Sequence, residues 1–269
     1  MNFRNGMMVA AAVVLSTTVL RAADALQFNA LTDWSKNKNL TVSEAGVFTI
    51  KGRQIDLRSR TFAVDPAKTY QFSVEVRRTP GSPAAKCYLG NWSISATGLA
   101  MLPQYVMPAP GTGSVLAADA KKGTKTIVVK RPEKWRDDFK KVHWGVVFNA
   151  KADLSDLPNP TYNDIVAAEA DGDNLKLTLR YLLRENYPAG TATRFHSSGN
   201  GMYGGWCNKV VPEEWTTVTW RVGGIAPTGN SGNKWWHGTV KGAVRIIANY
   251  NAASSLEFRN VRVTEVQNP

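Results

Sequence analysis

The chain has 269 residues, of which 43% are hydrophobic, 10% aromatic and 20% charged. That composition excludes wholesale disorder, collagen and coiled coil. A formal charge of +12 favours acidic partners, and two cysteines are too few for a disulfide framework and lack the paired spacing of a zinc site.

Residues 1–25 read as a secretory leader: Arg4 precedes an apolar run over 7–20, and Ala23-Asp24-Ala25 offers a small-residue cleavage site. The run is shorter than the roughly 20 residues that cross a bilayer. The expectation is therefore a secreted chain, periplasmic or extracellular, with no membrane span. Export permits a Cys87–Cys207 bridge, with two free thiols as the alternative. Basic runs such as Lys121-Lys122 and Lys140-Lys141 are short, which argues against nucleic acid or a lipid surface as partner.

Beyond the leader, almost every periodic segment alternates with period two. Over 69–78, Tyr70, Phe72, Val74 and Val76 share one face and Gln71, Ser73, Glu75 and Arg77 the other, as in a half-buried antiparallel strand. Further strands are predicted over 126–130, 144–150, 175–180 and 191–196. Segment 164–170 comes nearest to a helical period, but the Asp171-Gly172-Asp173 turn after it favours a hairpin. Over 215–222, Val218, Trp220 and Val222 oppose Thr217, Thr219 and Arg221, and Trp215 and Trp220 are assigned to the core. Near the end, Val261 and Val263 are one residue out of phase with Leu256 and Phe258, which predicts a bulge at Arg259-Asn260.

Seven of the nine Trp lie in 26–113 and 196–269, and Pro/Gly-rich stretches at 108–113 and 197–205 bound the piece between. The fold class expected is all-β: an antiparallel β-sandwich from 26–113 and 196–269, interrupted by a small inserted β domain at 114–195. One large sandwich containing every strand is the alternative.

The run over 62–76, with its Asp65-Pro66-Ala67-Lys68-Thr69-Tyr70 turn, resembles the early strands of jelly-roll carbohydrate-binding modules of the cellulose- and xylan-binding, galactose-binding-like type. Segments 243–250 and 256–263 resemble their closing strand pair. The resemblance implies a jelly-roll sandwich that binds polysaccharide. Segments 116–129 and 175–191 are similar to small β modules inserted in bacterial surface and phage structural proteins. In the carbohydrate-binding modules an Asp-Asp pair near the close helps to hold a structural calcium ion. Arg259-Asn260 stands there in this chain, and Arg supplies no oxygen ligand. No other cofactor is expected.

Aromatic residues beside glycines carry the strongest local signal. The loop 199–206 presents Tyr203 and Trp206, and 229–232 leads into Trp235-Trp236-His237. Adjacent residues of an extended segment point to opposite sides, so one of Trp235 and Trp236 is expected to leave the core. Exposed rings suit the C–H face of a sugar, while Arg and Asn meet its hydroxyls. The expected ligand set is Trp206, Trp235, Trp236, Tyr203 and Tyr250 for stacking, with Arg58, Arg60, Arg245 and Asn249 for polar contacts. Arginines on a strand face favour an anionic polysaccharide over a neutral one.

The function expected is non-catalytic polysaccharide binding, the alternative a polysaccharide lyase or glycoside hydrolase, and the third reading a surface-structural protein. A lyase needs a base, an acid and a group that neutralises the uronate carboxylate. His196 or His237, Tyr203 or Tyr250, and Arg245 with Asn249 would supply those residue types. The Gln-Ile-His and Tyr-x-Lys-x-Gly motifs of jelly-roll alginate lyases are absent from the chain. The three histidines have no metal-ligand spacing.

Overall fold

The computed structural model describes residues 25–229 and 231–267. The expected leader at 1–25 lies outside them apart from Ala25. Seven strands come first: β1 (Leu26–Gln27), β2 (Leu40–Val42), β3 (Phe48–Gly52), β4 (Ile55–Arg58), β5 (Phe62–Ala63), β6 (Thr69–Arg78) and β7 (Lys86–Ile94). Six follow in the middle: β8 (Ser114–Val115), β9 (Thr126–Lys130), β10 (Trp144–Phe148), β11 (Asn163–Asp171), β12 (Asn174–Leu179) and β13 (Ala192–Ser197). Four close the chain: β14 (Met202–Val210), β15 (Thr216–Gly223), β16 (Lys241–Ala248) and β17 (Ser254–Val266).

These strands make three sheets. The first runs β15-β6-β17-β3-β2 with β1 on β17, the second β14-β7-β16-β4 with β5 on β16, and the third β8-β13-β10-β11-β12-β9. The first two form an antiparallel sandwich around one apolar cluster. Phe48, Phe72, Val74 and Phe258 enter it from the first sheet, and Leu57, Leu89, Val244 and Ile246 from the second. Alternation explains the choice of face: Tyr70, Phe72, Val74 and Val76 of β6 are all at most 3% exposed, and Val218, Trp220 and Val222 of β15 bury beside them. The register of β17 slips between Arg259 and Arg262, and Asn260 has φ 52°, so the bulge sits where the apolar phase changes.

Segment 114–197 supplies every strand of the third sheet, whose Leu116, Ile127, Val129, Phe148, Leu177 and Phe195 form a second apolar cluster. The turn after β11 has Gly172 at φ 57° and returns as β12, giving the hairpin that its Asp-Gly-Asp sequence predicts. Residues 104–109 knit this sheet to the sandwich. Ala109 donates to Phe195 O, Ser197 to Met107 O and Asn159 to Tyr105 O, each at 2.9 Å, while Gly229 donates to Val106 O at 2.7 Å.

Candidate functional site

The outer face of the second sheet gathers the chemistry. In β7, Cys87, Leu89, Asn91 and Ser93 point into the sandwich, which turns Lys86, Tyr88, Gly90 and Trp92 outward. Register then places Ile247 of β16 beside Tyr88, Arg245 beside Gly90 and Ala243 beside Trp92. On the far side of β16, Arg58 lies opposite Arg245 and Asp56 opposite Ile247. Tyr203 of β14 and Tyr250, just beyond β16, complete the surface.

Arg245 is its hub. Nε and Nη2 donate to the two carboxylate oxygens of Asp56 at 3.1 and 2.6 Å, and Nη1 donates to the Tyr203 hydroxyl at 3.0 Å. The guanidinium also covers the Trp92 ring at 3.9 Å from its centroid. Tyr88 packs against Tyr203 at 4.8 Å and against Tyr250 at 4.9 Å. Four aromatic rings and one ion pair thus form a continuous patch with Tyr88, Trp92 and Tyr203 partly exposed and Tyr250 exposed. Burial raises the Tyr88 and Tyr203 hydroxyls above their ordinary pKa, so both remain neutral near pH 7.

Both sheets carry outward positive charge, and aromatic clustering is what sets the second apart. On the first sheet three outward pairs form, Arg77 with Glu257, Arg259 with Glu75 and Lys68 with Glu265, each at 2.7 Å, while Arg221 donates to the neutral Gln71 and the exposed Lys51 and Arg262 enter no salt bridge among the described residues. Trp215 lies between Arg77 and Arg259 on that face, held by both guanidiniums, instead of in the core as expected. Arg259 and Asn260 both turn onto Glu75. On the second sheet Asp56 is already neutralised by Arg245, and Arg58, Lys86 and Lys241 have no acidic partner among the described residues. That face is left with a positive excess.

Several sequence expectations need correction. Trp235 and Trp236 are 0% and 2% exposed, so neither indole reaches solvent. The alternation rule assumes water on one side of the segment, whereas this one is threaded into the core with protein on both sides. Trp235 packs among Phe62, Tyr70 and Phe72, and the main chain of Trp236 takes a hydrogen bond from Thr239. Trp206 pairs in register with inward-facing Leu89 and packs against the core. Asn249 is 1% exposed with φ 55°, and its amide holds the turn to β17 by donating to Ser254 O at 3.0 Å. Arg60 bends away to Asp33, 2.8 Å distant, and lies over Phe28.

The cysteines are not bridged. Cys87 lies in the core and Cys207 is exposed on the neighbouring strand, beyond a break in register after Trp206. The lyase set is dispersed as well. His196 is 0% exposed at the seam, its Nδ1 2.7 Å from Gln104 O and its Nε2 3.0 Å from the Arg194 Nε–H. The carbonyl needs a donor and Arg194 an acceptor, so His196 is neutral with its proton on Nδ1. Among the described residues His237 makes no hydrogen bond or ion pair with Tyr203 or Arg245, which instead bond to each other.

Of the expected ligands, Tyr203, Tyr250, Arg245 and Arg58 meet on one face. Tyr88, Trp92, Asp56 and Gly90 were missed, although one signal was present. Two aromatics four residues apart, with a glycine midway, occupy the strand phase opposite Cys87 and Leu89.

No family model matches this chain, and no curated protein matches it. Thirteen solved chains do. The CBM22-1 xylan-binding domain from Paenibacillus barcinonensis is 9% identical, with TM-score 0.36, covering 92% of this chain and 98% of its own. A protein described as a candidate glycosyl hydrolase from Parabacteroides distasonis is 14% identical, with TM-score 0.27, covering 91% and 84%. The enzymatically active domain of bacteriophage CBA120 tailspike protein 4 is 9% identical, with TM-score 0.29, covering 89% of this chain and 20% of that one. At such identities none of them transfers a residue or an activity to this chain.

Proposed function

We propose that this chain is an exported, non-catalytic binder of an anionic polysaccharide, which lies across the outer face of β14, β7, β16 and β4. The observation that carries the proposal is the patch of Tyr88, Trp92, Tyr203 and Tyr250, locked by Arg245 and Asp56 and open to solvent. Rings held by their neighbours lose little conformational freedom when a sugar stacks on them, which favours affinity. Arg245 spends its Nε and Nη2 donors on Asp56 and one Nη1 donor on Tyr203, so its part is to orient the rings. Arg58, Lys86 and Lys241 supply the charge that uronate or sulfate groups would meet.

Affinity electrophoresis in gels carrying polygalacturonate, alginate or hydroxyethylcellulose tests this. The two acidic polymers should retard the chain more than the neutral one, and added salt should weaken the effect. Trp92→Ala and Tyr88→Ala should each cost tenfold or more in affinity, about 1.4 kcal/mol per tenfold. Trp215→Ala on the opposite sheet should be retarded like the parent. Equal retardation of the parent, Trp92→Ala and Tyr88→Ala would refute the proposal.

A further inference from the structure

A second concavity lies where the turn at 102–105 meets the third sheet, and it shares no residue with the aromatic face. Its volume is about 480 Å³. Phe148 and Tyr187 stack in its lining, with centroids 4.2 Å apart and planes at 13°. Asp164 stands in its wall with both carboxylate oxygens engaged: the Tyr162 hydroxyl donates to one and Arg180 Nε to the other, each at 2.9 Å. A smaller hollow of about 300 Å³, lined by Lys140, His143 and Trp144, adjoins it at Asp164.

The rim is unusual. Tyr181 and Leu182 are 62% and 56% exposed, the largest exposures among the large apolar side chains of the described residues apart from Val210, also at 56%. Yet the main chain beneath them is fixed. Asn163, only 6% exposed, donates from Nδ2 to Tyr181 O at 3.0 Å and accepts from Tyr181 N at 3.1 Å. An exposed ring on a pinned backbone is prepaid in entropy, as a binding element should be.

We infer that this cleft is a second saccharide site, which takes a short stretch or the end of a neutral oligosaccharide. Tyr181 offers a flat ring for the C–H face of a sugar, while Asp164, Gln104 and the tyrosine hydroxyls offer acceptors and donors for its diols. Burial raises Tyr105, Tyr162 and Tyr187, so those hydroxyls are neutral. Arg184 and Glu185 bring one charge of each sign, so a polyanion is not selected here as it is on the aromatic face. An extended peptide is captured at a free strand edge, whereas β10 and β11 are interior strands of their sheet.

The test uses the full chain carrying Trp92→Ala and Tyr88→Ala, so that the aromatic face contributes nothing. Cellotetraose, xylotetraose and mannotetraose are titrated into it calorimetrically. The expected result is saturable binding of at least one of them, weakened tenfold or more when Tyr181→Ala is added, with an unchanged melting temperature because that ring is exposed. Absence of saturable binding for all three, or binding that Tyr181→Ala leaves intact, overturns the inference. Failure of the aromatic-face proposal has a different signature, since the parent and the double variant would then bind acidic polymers alike.

Discussion

Gly90 decides whether the aromatic face can exist. A Cβ there would overlap the Met202 carbonyl oxygen and sit 2.8 Å from Tyr203 Cα, so β14 approaches β7 only because position 90 has no side chain. Gly201 does the same for the polar contact, since a Cβ there would lie 3.0 Å from the Tyr203 hydroxyl and 3.1 Å from Arg245 Nη1. Gly90→Ala should therefore cost about 1–3 kcal/mol, as overpacking does, and weaken polysaccharide retention, both measurable by urea unfolding and affinity electrophoresis. Trp235→Ala should cost more, about 3–5 kcal/mol for a buried Trp, yet leave retention per folded molecule unchanged. A loss of retention in that variant at full folding would restore a ligand role for the indole. The contrast shows what single residues disclose in a sequence. Tyr203 was legible as an aromatic beside glycines and Arg245 as a cation within a strand-like segment, with Tyr250 close after it. Trp235 was not, because its burial depends on Phe62, Tyr70 and Phe72, remote in the chain, closing over it.

At the scale of elements, local pattern was a good guide wherever a strand has one wet face. β6 and the β17 bulge follow directly from the phase of their apolar residues. Pairing partners are another matter: nothing in the sequence of β7 indicates that β14 and β16 flank it, and only that arrangement turns Tyr88, Trp92 and Tyr203 into one surface. β13 shows a further effect of assembly. Burial is the main cause that lowers the His196 pKa from 6.5 to about 4, with the Arg194 charge lowering it further, while Gln104 O and Asp156 pull the other way. Between those two values the unfolded chain binds a proton that the folded chain refuses. Stability therefore falls as pH drops from about 6.5 towards 4, by about 3 kcal/mol in all. Urea midpoints at pH 7 and pH 4.5 should differ less for His196→Gln than for the parent. An identical drop in both would mean that the histidine is not the source. Burial pushes the Asp156 carboxyl up, but hydrogen bonds from Asn159, the Lys151 amide and Arg194, 2.8 Å away, together hold it below its ordinary pKa, and it adds its own loss at lower pH.

On the scale of the molecule, two apolar clusters with separate memberships suggest two folding units. We propose that 114–195 is an insertion in the sandwich. Its entry and exit strands are neighbours, Ser114 pairing with Thr193, so a short linker could close the gap left by its removal. Such an excised chain should still unfold cooperatively and bind acidic polysaccharide, with lower stability because 104–109 loses its hydrogen bonds to Phe195 and Asn159. Loss of all cooperative unfolding on excision would show a single unit. The central claim, however, concerns the outward side of the second sheet, and locating a bound ligand tests it most directly. In a titration of the isotope-labelled chain with a short oligogalacturonate, the largest amide and indole shifts should fall on Tyr88, Trp92, Tyr203 and Arg245, with Trp215 silent. Shifts confined to any other surface, or none at saturating ligand, would contradict the account.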